Sequence, residues 1–144
     1  MNILAAVDFS AVTRDVLDAL RRVCGALPAK LWLVHVAPPE PDFVGYEPGP
    51  HAVRSQVAAE HRTRHQQLQS LADEMRTEGI ETTALLLQGP TVETLVEEAA
   101  KLQAALIVLG SHGHGAVYDL LVGSVAEGVV RRSKIPVLLI PAVR

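Results

Sequence analysis

The densest chemical signal in the chain is Gly110-Ser111-His112-Gly113 followed, nine residues later, by Gly123-Ser124. Glycines at the end of a strand let the backbone approach a ligand closely. A helix opening at Gly123-Ser124 presents unbonded N–H groups and the positive end of its dipole, which suit a phosphate. The Ser124 hydroxyl is expected to cap that helix and to reach a phosphate oxygen. Either half alone is more simply a tight turn beside an ordinary cap. The two halves in one loop describe two backbone cradles facing one anion. Neighbouring phosphate motifs do not fit. Gly110 to Gly115 meets the spacing of a P-loop, but Ala116-Val117 stand where Lys-Ser/Thr is required. Gly113-x-Gly115 begins a dinucleotide fingerprint, yet Tyr118 takes the third glycine position, and the segment follows the fourth strand instead of the first.

Asp8 is the second candidate. It follows the first apolar run, where a carboxylate can accept hydrogen bonds from vicinal ribose hydroxyls; the plain alternative is the start of a helix. His112 is placed to donate to a phosphate, and the His112/His114 pair is a poor metal site by itself. His61 and His65 have the i, i+4 spacing of a zinc pair, but Arg62 replaces the glutamate of the hydrolytic motif and nearby arginines repel a cation. They read as a solvated helix face. His35 reads as a satisfied core residue and Cys24 as a small helix-face hydrophobe. No Ser–His–Asp set and no paired carboxylates stand out.

Five short apolar runs position these residues: Ile3–Val7, Leu31–Val36, Ile80–Leu87, Ala105–Leu109 and Val137–Ile140. Their length and branching predict strands buried on both faces. Four helical patterns alternate with them. The first carries Val12, Val16, Leu17, Leu20 and Val23, capped by Ser10 and ended by Gly25 and Pro28. The second runs over 51–78 to Gly79, the third follows Gly89-Pro90-Thr91, and the fourth opens at Gly123-Ser124. Residues 37–50 hold five of the nine prolines and read as a loop. The alternation predicts an α/β fold, a doubly wound parallel sheet in one domain over 1–144. Ligands in such sheets bind beyond the C-terminal ends of the strands. Asp8, Val36 and Gly110 all fall there.

Composition removes other functions. Aromatic residues are only 3% of the chain and the net charge is −3, so it lacks the stacking residues and basic face of a nucleic-acid binder. A single cysteine excludes a disulfide framework. The opening Met1-Asn2-Ile3-Leu4-Ala5-Ala6-Val7 meets Asp8 at once, unlike a secretory signal, and no apolar run approaches a membrane span. A cytoplasmic protein is expected.

The spacing Gly-x-x-Gly, nine residues, Gly-Ser resembles the universal stress protein family, in its ATP-binding branch. The likeness runs along the whole chain: the Ile3–Asp8 strand with Phe9-Ser10, Leu33-Val34-His35-Val36, Gly89-Pro90, Ile107-Val108-Leu109-Gly110-Ser111, and Ile135 to Ile140. It implies a Rossmann-like five-stranded sheet in the order 3-2-1-4-5 with helices on both faces, and a homodimer. It also implies site residues. Ala6 and Val7 line an adenine slot, Val36 reads the adenine edge through its backbone, and Asp8 stands beside adenine and ribose. Leu109 and Gly110 pack near the ribose, His112 and Gly113 flank the phosphates, and Gly123, Ser124 and Val125 donate to them. Ala105 departs from the aspartate usual in the family just before the fourth strand.

The implied ligand is ATP, or ADP or AMP. Because the motif offers uncharged donors, Mg²⁺ or Mn²⁺ is expected to bridge the phosphates. The expected function is a stress-response or signalling module whose bound nucleotide is the signal. The alternatives are an interaction protein with an empty or AMP-filled site, and a slow ATPase. In the implied order the fifth strand is a sheet edge, apolar from Val137 to Ile140, and suits pairing with a second copy. Pro136 and Pro141 confine such a ladder to four residues.

Overall fold

The computed structural model describes residues 1–39, 51–112 and 122–143, with residues 51–54 described by their backbone alone. Five strands form one sheet: β1 (Asn2–Ala6), β2 (Lys30–Ala37), β3 (Thr82–Gln88), β4 (Ala104–Gly110) and β5 (Val137–Ile140). The helices α1 (Val12–Ala26), α2 (His51–Thr77), α3 (Thr91–Lys101) and α4 (Ser124–Arg132) alternate with them. Every neighbouring pair of strands is parallel, in the order β3-β2-β1-β4-β5.

β1 shows why the strands are continuously apolar. Ile3, Leu4 and Ala5 have no exposed surface. Ile3 and Ala5 face α1 and α2, joining Leu17 and Leu20 on the first and Leu68 and Met75 on the second. Leu4 faces the opposite layer, with Leu95 and Ala99 of α3 and Val129 of α4. A strand covered on both faces has no polar side to alternate with. Arg21 fastens α1 to α2 outside this core, binding Glu78 at 2.8 Å and Glu74 at 2.6 Å.

Two local features differ from the sequence reading. Ser10 does not cap α1. The cap position is Ala11, and Ser10 instead donates its backbone N–H to Asp8 Oδ1 at 2.9 Å. Phe9 takes a left-handed φ of 61°, which turns the chain before the helix begins and brings the Asp8 carboxylate to that amide. α1 also continues through Gly25 to Ala26. Its stop is set by Pro28, which holds Leu27 extended. At the other end of the sheet, Ala105 is an extra residue in the β1–β4 register, between Ala104 opposite Asn2 and Leu106 opposite Ile3. It is exposed and lies at the start of β4, far along the strand from its C-terminal end.

The end of α2 follows expectation. Gly79 has φ 83°, donates to Arg76 O at 2.9 Å, and is followed by an Ile80 N–H bond to Met75 O at 3.1 Å. This paired closure needs a left-handed residue, which glycine supplies without steric cost.

Gly128, in the middle of α4, has a different reason. A Cβ there would stand 2.7 Å from Val92 Cγ2 of α3. Glycine costs a helix interior about 1 kcal/mol relative to alanine, and here it permits the two helices to touch. Gly128→Ala is therefore expected to destabilise the fold by roughly 1–3 kcal/mol through overpacking. Adding Val92→Ala should recover at least half of that loss in urea titrations. A stabilised single variant would contradict the close-contact account.

Candidate functional site

α1, which follows β1, packs on one face of the sheet, and α4, which follows β4, packs on the other. The C-terminal ends of these adjacent strands therefore lie where the winding changes direction, the place where an open parallel sheet leaves a crevice. A cavity of about 450 Å³ opens there.

The structure brings ten of the eleven expected residues to this cavity. Ala6, Val7 and Asp8 come from the end of β1, and Val36 from the end of β2. Leu109 and Gly110 end β4, and His112 follows. Gly123, Ser124 and Val125 open α4. Gly113, like His114, lies outside the described residues. The sequence reading missed Val12, Thr13 and Val16 of α1 and Thr91 and Leu95 of α3, which also line the cavity. Helical spacing marks most of these as inward-facing, but spacing cannot separate a wall of the core from a wall of the crevice above it.

The two halves of the glycine loop are tied together. Gly123 donates its N–H to Ser111 O at 2.6 Å, and Ser111 donates to Ile140 O at 2.8 Å. The start of α4 is thus fixed to the ends of β4 and β5. Gly123 is the cap residue of α4, at φ −58° and ψ 151°, and no side chain caps the helix. Ser124 is its first helical residue, so its hydroxyl does not cap as expected. With the Gly123 amide occupied, the first-turn amides without an intrahelical acceptor are those of Ser124, Val125 and Ala126. Gly110 is needed for packing: a Cβ would meet Val12 Cγ1 at 2.7 Å.

Val36 offers its backbone to the same cavity. Val34 O accepts from Val7 N–H, so Val36, two residues on, turns its N–H and C=O to the same side. The last β1–β2 pair is Ala6 with Val34, so Val36 extends beyond its neighbour strand.

His35 is buried and lines the cavity, but it is only half satisfied. Its Nδ1 lies 2.8 Å from Val7 O, while Nε2 finds no hydrogen-bond partner among the described residues. A carbonyl can only accept, so Nδ1 carries the proton and Nε2 the lone pair. The Phe9 ring leans on the imidazole, with centroids 4.6 Å apart. Burial lowers the proton affinity of His35, and the charge of Arg64 on α2 adds to this, against the Val7 bond and Asp8. His112 Nδ1 lies 2.8 Å from the Ser111 hydroxyl. Away from the cavity, His61 is half-buried and His65 exposed on α2, and Cys24 is half-buried with its thiol pushed up by burial.

The sequence pattern of the Universal stress protein family matches residues 1–141. The chain belongs to this family. A universal stress protein encoded 3′ to a QAH/OAS sulfhydrylase in Thermus aquaticus is 32% identical over 96% of this chain and 97% of its own. The solved MJ0577 protein of Methanocaldococcus jannaschii superposes with a TM-score of 0.82, covering 99% of this chain and 96% of that one at 23% identity, a likeness of fold. A universal stress protein solved in complex with cAMP is 26% identical, with a TM-score of 0.65 over 99% of this chain and 98% of its own. Among the described residues, no helix of this family member is long and apolar enough to cross a membrane.

The burial of His35 has a consequence for this stress protein's stability. Because the folded chain holds the proton more weakly than the unfolded one, the unfolded chain is protonated first as pH falls. His35 therefore contributes stability that is complete above about pH 6.5 and declines below it. Urea titrations at pH 7.5 and 5.5 are expected to show wild type losing more stability than His35→Phe. Equal losses would place the pH dependence on other groups.

Proposed function

We propose that this universal stress protein binds ATP in the cavity between β1 and β4, and that its occupied state is the signal it passes on from the cytoplasm. The observation that supports this reading is the convergence in one cavity of an apolar slot, a carboxylate and a helix start. Ala6, Val7 and Val36 offer flat apolar surface to adenine. The N–H and C=O of Val36 suit the acceptor and donor on the adenine edge. Asp8, whose Oδ1 also accepts from Ser10 N–H, accepts from the ribose hydroxyls, since a carboxylate can accept several hydrogen bonds at once. The amides of Ser124 and Val125, with His112 opposite, receive the phosphates. The cAMP complex of a relative 26% identical supports an adenine nucleotide as the ligand class.

Among the described lining residues the ionisable groups are Asp8, His35 and His112, none of them a permanent cation. Triphosphate charge is then best neutralised by Mg²⁺ or Mn²⁺ carried in with the nucleotide. Calorimetric titration is expected to detect ATP binding that strengthens when Mg²⁺ is added. Gly123→Val should abolish binding while preserving the fold, since valine accepts φ −58° but its methyls crowd the approach to the α4 amides. Asp8→Ala should weaken binding by roughly 1–3 kcal/mol. No heat of binding at millimolar ATP would remove the nucleotide reading.

A homodimer through β5 belongs to the same reading. β5 has β4 on one side and no described strand on the other. Val137, Leu138 and Leu139 are half-buried, and Val130 and Val143 nearby in sequence are 50% and 78% exposed. Antiparallel pairing with a second β5 is two-fold by nature and covers an edge that carries no charge. Light scattering at low micromolar concentration is expected to give twice the protomer mass, and Leu138→Lys to reduce it. A wild-type protomer mass would exclude the dimer.

A further inference from the structure

The turn between β1 and α1 is held in a conformation its own residues do not favour. Phe9 sits at φ 61°, a region that bulky residues enter only against a steric cost and keep only where surrounding contacts impose it. Phe9 packs against the core on the α1 side of the sheet, and two further contacts of the turn converge on His35. The imidazole Nδ1–H donates to Val7 O at 2.8 Å, immediately before the turn. The ring also receives Phe9 at 4.6 Å between centroids, tilted by 41°. Val7 is thereby held at both ends, since its N–H donates to Val34 O at 2.9 Å. Asp8 lies between the two residues that His35 grips, and its Oδ1 accepts from Ser10 N–H on the far side of the turn.

We propose that His35 is a positioning residue for Asp8: by fixing Val7 O and the Phe9 ring, it sets the direction in which the carboxylate meets the sugar hydroxyls of a nucleotide. The assignment rests on the nucleotide reading above and deepens it. His35 touches the backbone and Phe9, and it acts on the sugar only through Asp8. Its effect therefore falls more heavily on ligands that carry ribose hydroxyls than on those that lack them.

The test is calorimetric titration of ATP and 2′,3′-dideoxy-ATP, each with Mg²⁺, into wild type, Asp8→Ala, His35→Phe and the double variant. Wild type is expected to favour ATP by roughly tenfold or more, the range for hydrogen bonds to a charged group. Asp8→Ala and His35→Phe should each bring the ratio towards one, and the double variant should lower it no further. In each variant the loss of affinity should be clearly smaller for the dideoxy nucleotide than for ATP, because Val7 and His35 also line the cavity that any adenine nucleotide enters. His35→Asn and His35→Gln keep the test decisive if the phenylalanine variant fails to fold. The asparagine amide can donate near the Nδ1 position and should retain the preference, whereas the longer glutamine amide should lose it. A purely structural role would weaken both nucleotides by the same factor, and that result overturns the proposal. So does equal binding of the two nucleotides by wild type, which removes the role of Asp8. If wild type binds neither nucleotide, the nucleotide reading falls first and the positioning role with it.

Discussion

β1 is paired with a strand on each edge and covered by helices on each face, and the positions of all other elements follow from that placement. A strand buried on every side must be short, apolar and free of charge until its end. Asn2–Ala6 meets that demand, and the first acid, Asp8, comes only after the strand has left the sheet. Since all strands run parallel, every loop that follows a strand emerges at the same end. Between β1 and β4 the following helices depart to opposite faces, and a crevice results from topology alone. The glycines refine it. Gly110 lets β4 approach Val12, and Gly128 lets α4 approach α3.

The chemistry of that crevice is neutral in character. Backbone amides at the start of α4, the two polar groups of the Val36 peptide, the imidazoles and the hydroxyls of Thr13, Thr91, Ser111 and Ser124 are among its donors and acceptors, with Asp8 the single carboxylate among the described lining residues. Amides fixed by the Gly123–Ser111 and Ser111–Ile140 hydrogen bonds need no reorganisation to meet an anion. Their strength comes from being held, in contrast to a flexible lysine, which brings charge but must be ordered on binding.

The turn after β1 couples the core to the crevice. A left-handed phenylalanine is a local conflict between sequence preference and fold, and such conflicts persist where surrounding structure overrules them. Here the surrounding structure is the core against which Phe9 packs together with His35, itself carried on β2 and thus fixed by the sheet. The same burial that makes it rigid lowers its affinity for a proton.

Much of this was legible in the sequence, because it depends on periodicity and residue type. The β5 bounds, the close of α2 at Gly79 and the alternation of strands and helices rest on short apolar runs, glycine and proline, which act locally. Ten of the eleven expected site residues reach one cavity because parallel strands deliver their ends to one edge, so that lying after a strand is enough to place a residue. Only the tertiary structure decided the rest. Neither Ser10 nor Ser124 caps its helix: Phe9 turns the first approach before Ser10 can act, and Gly123 is tied to Ser111 before the second. His35 read as a satisfied core histidine, and it is half of one. Its second nitrogen and its grip on Val7 depend on how β2 passes beside the end of β1, a contact between residues 28 apart in sequence. Local spacing carries no information about such a pair, since the free energy that sets it comes from packing two distant segments together.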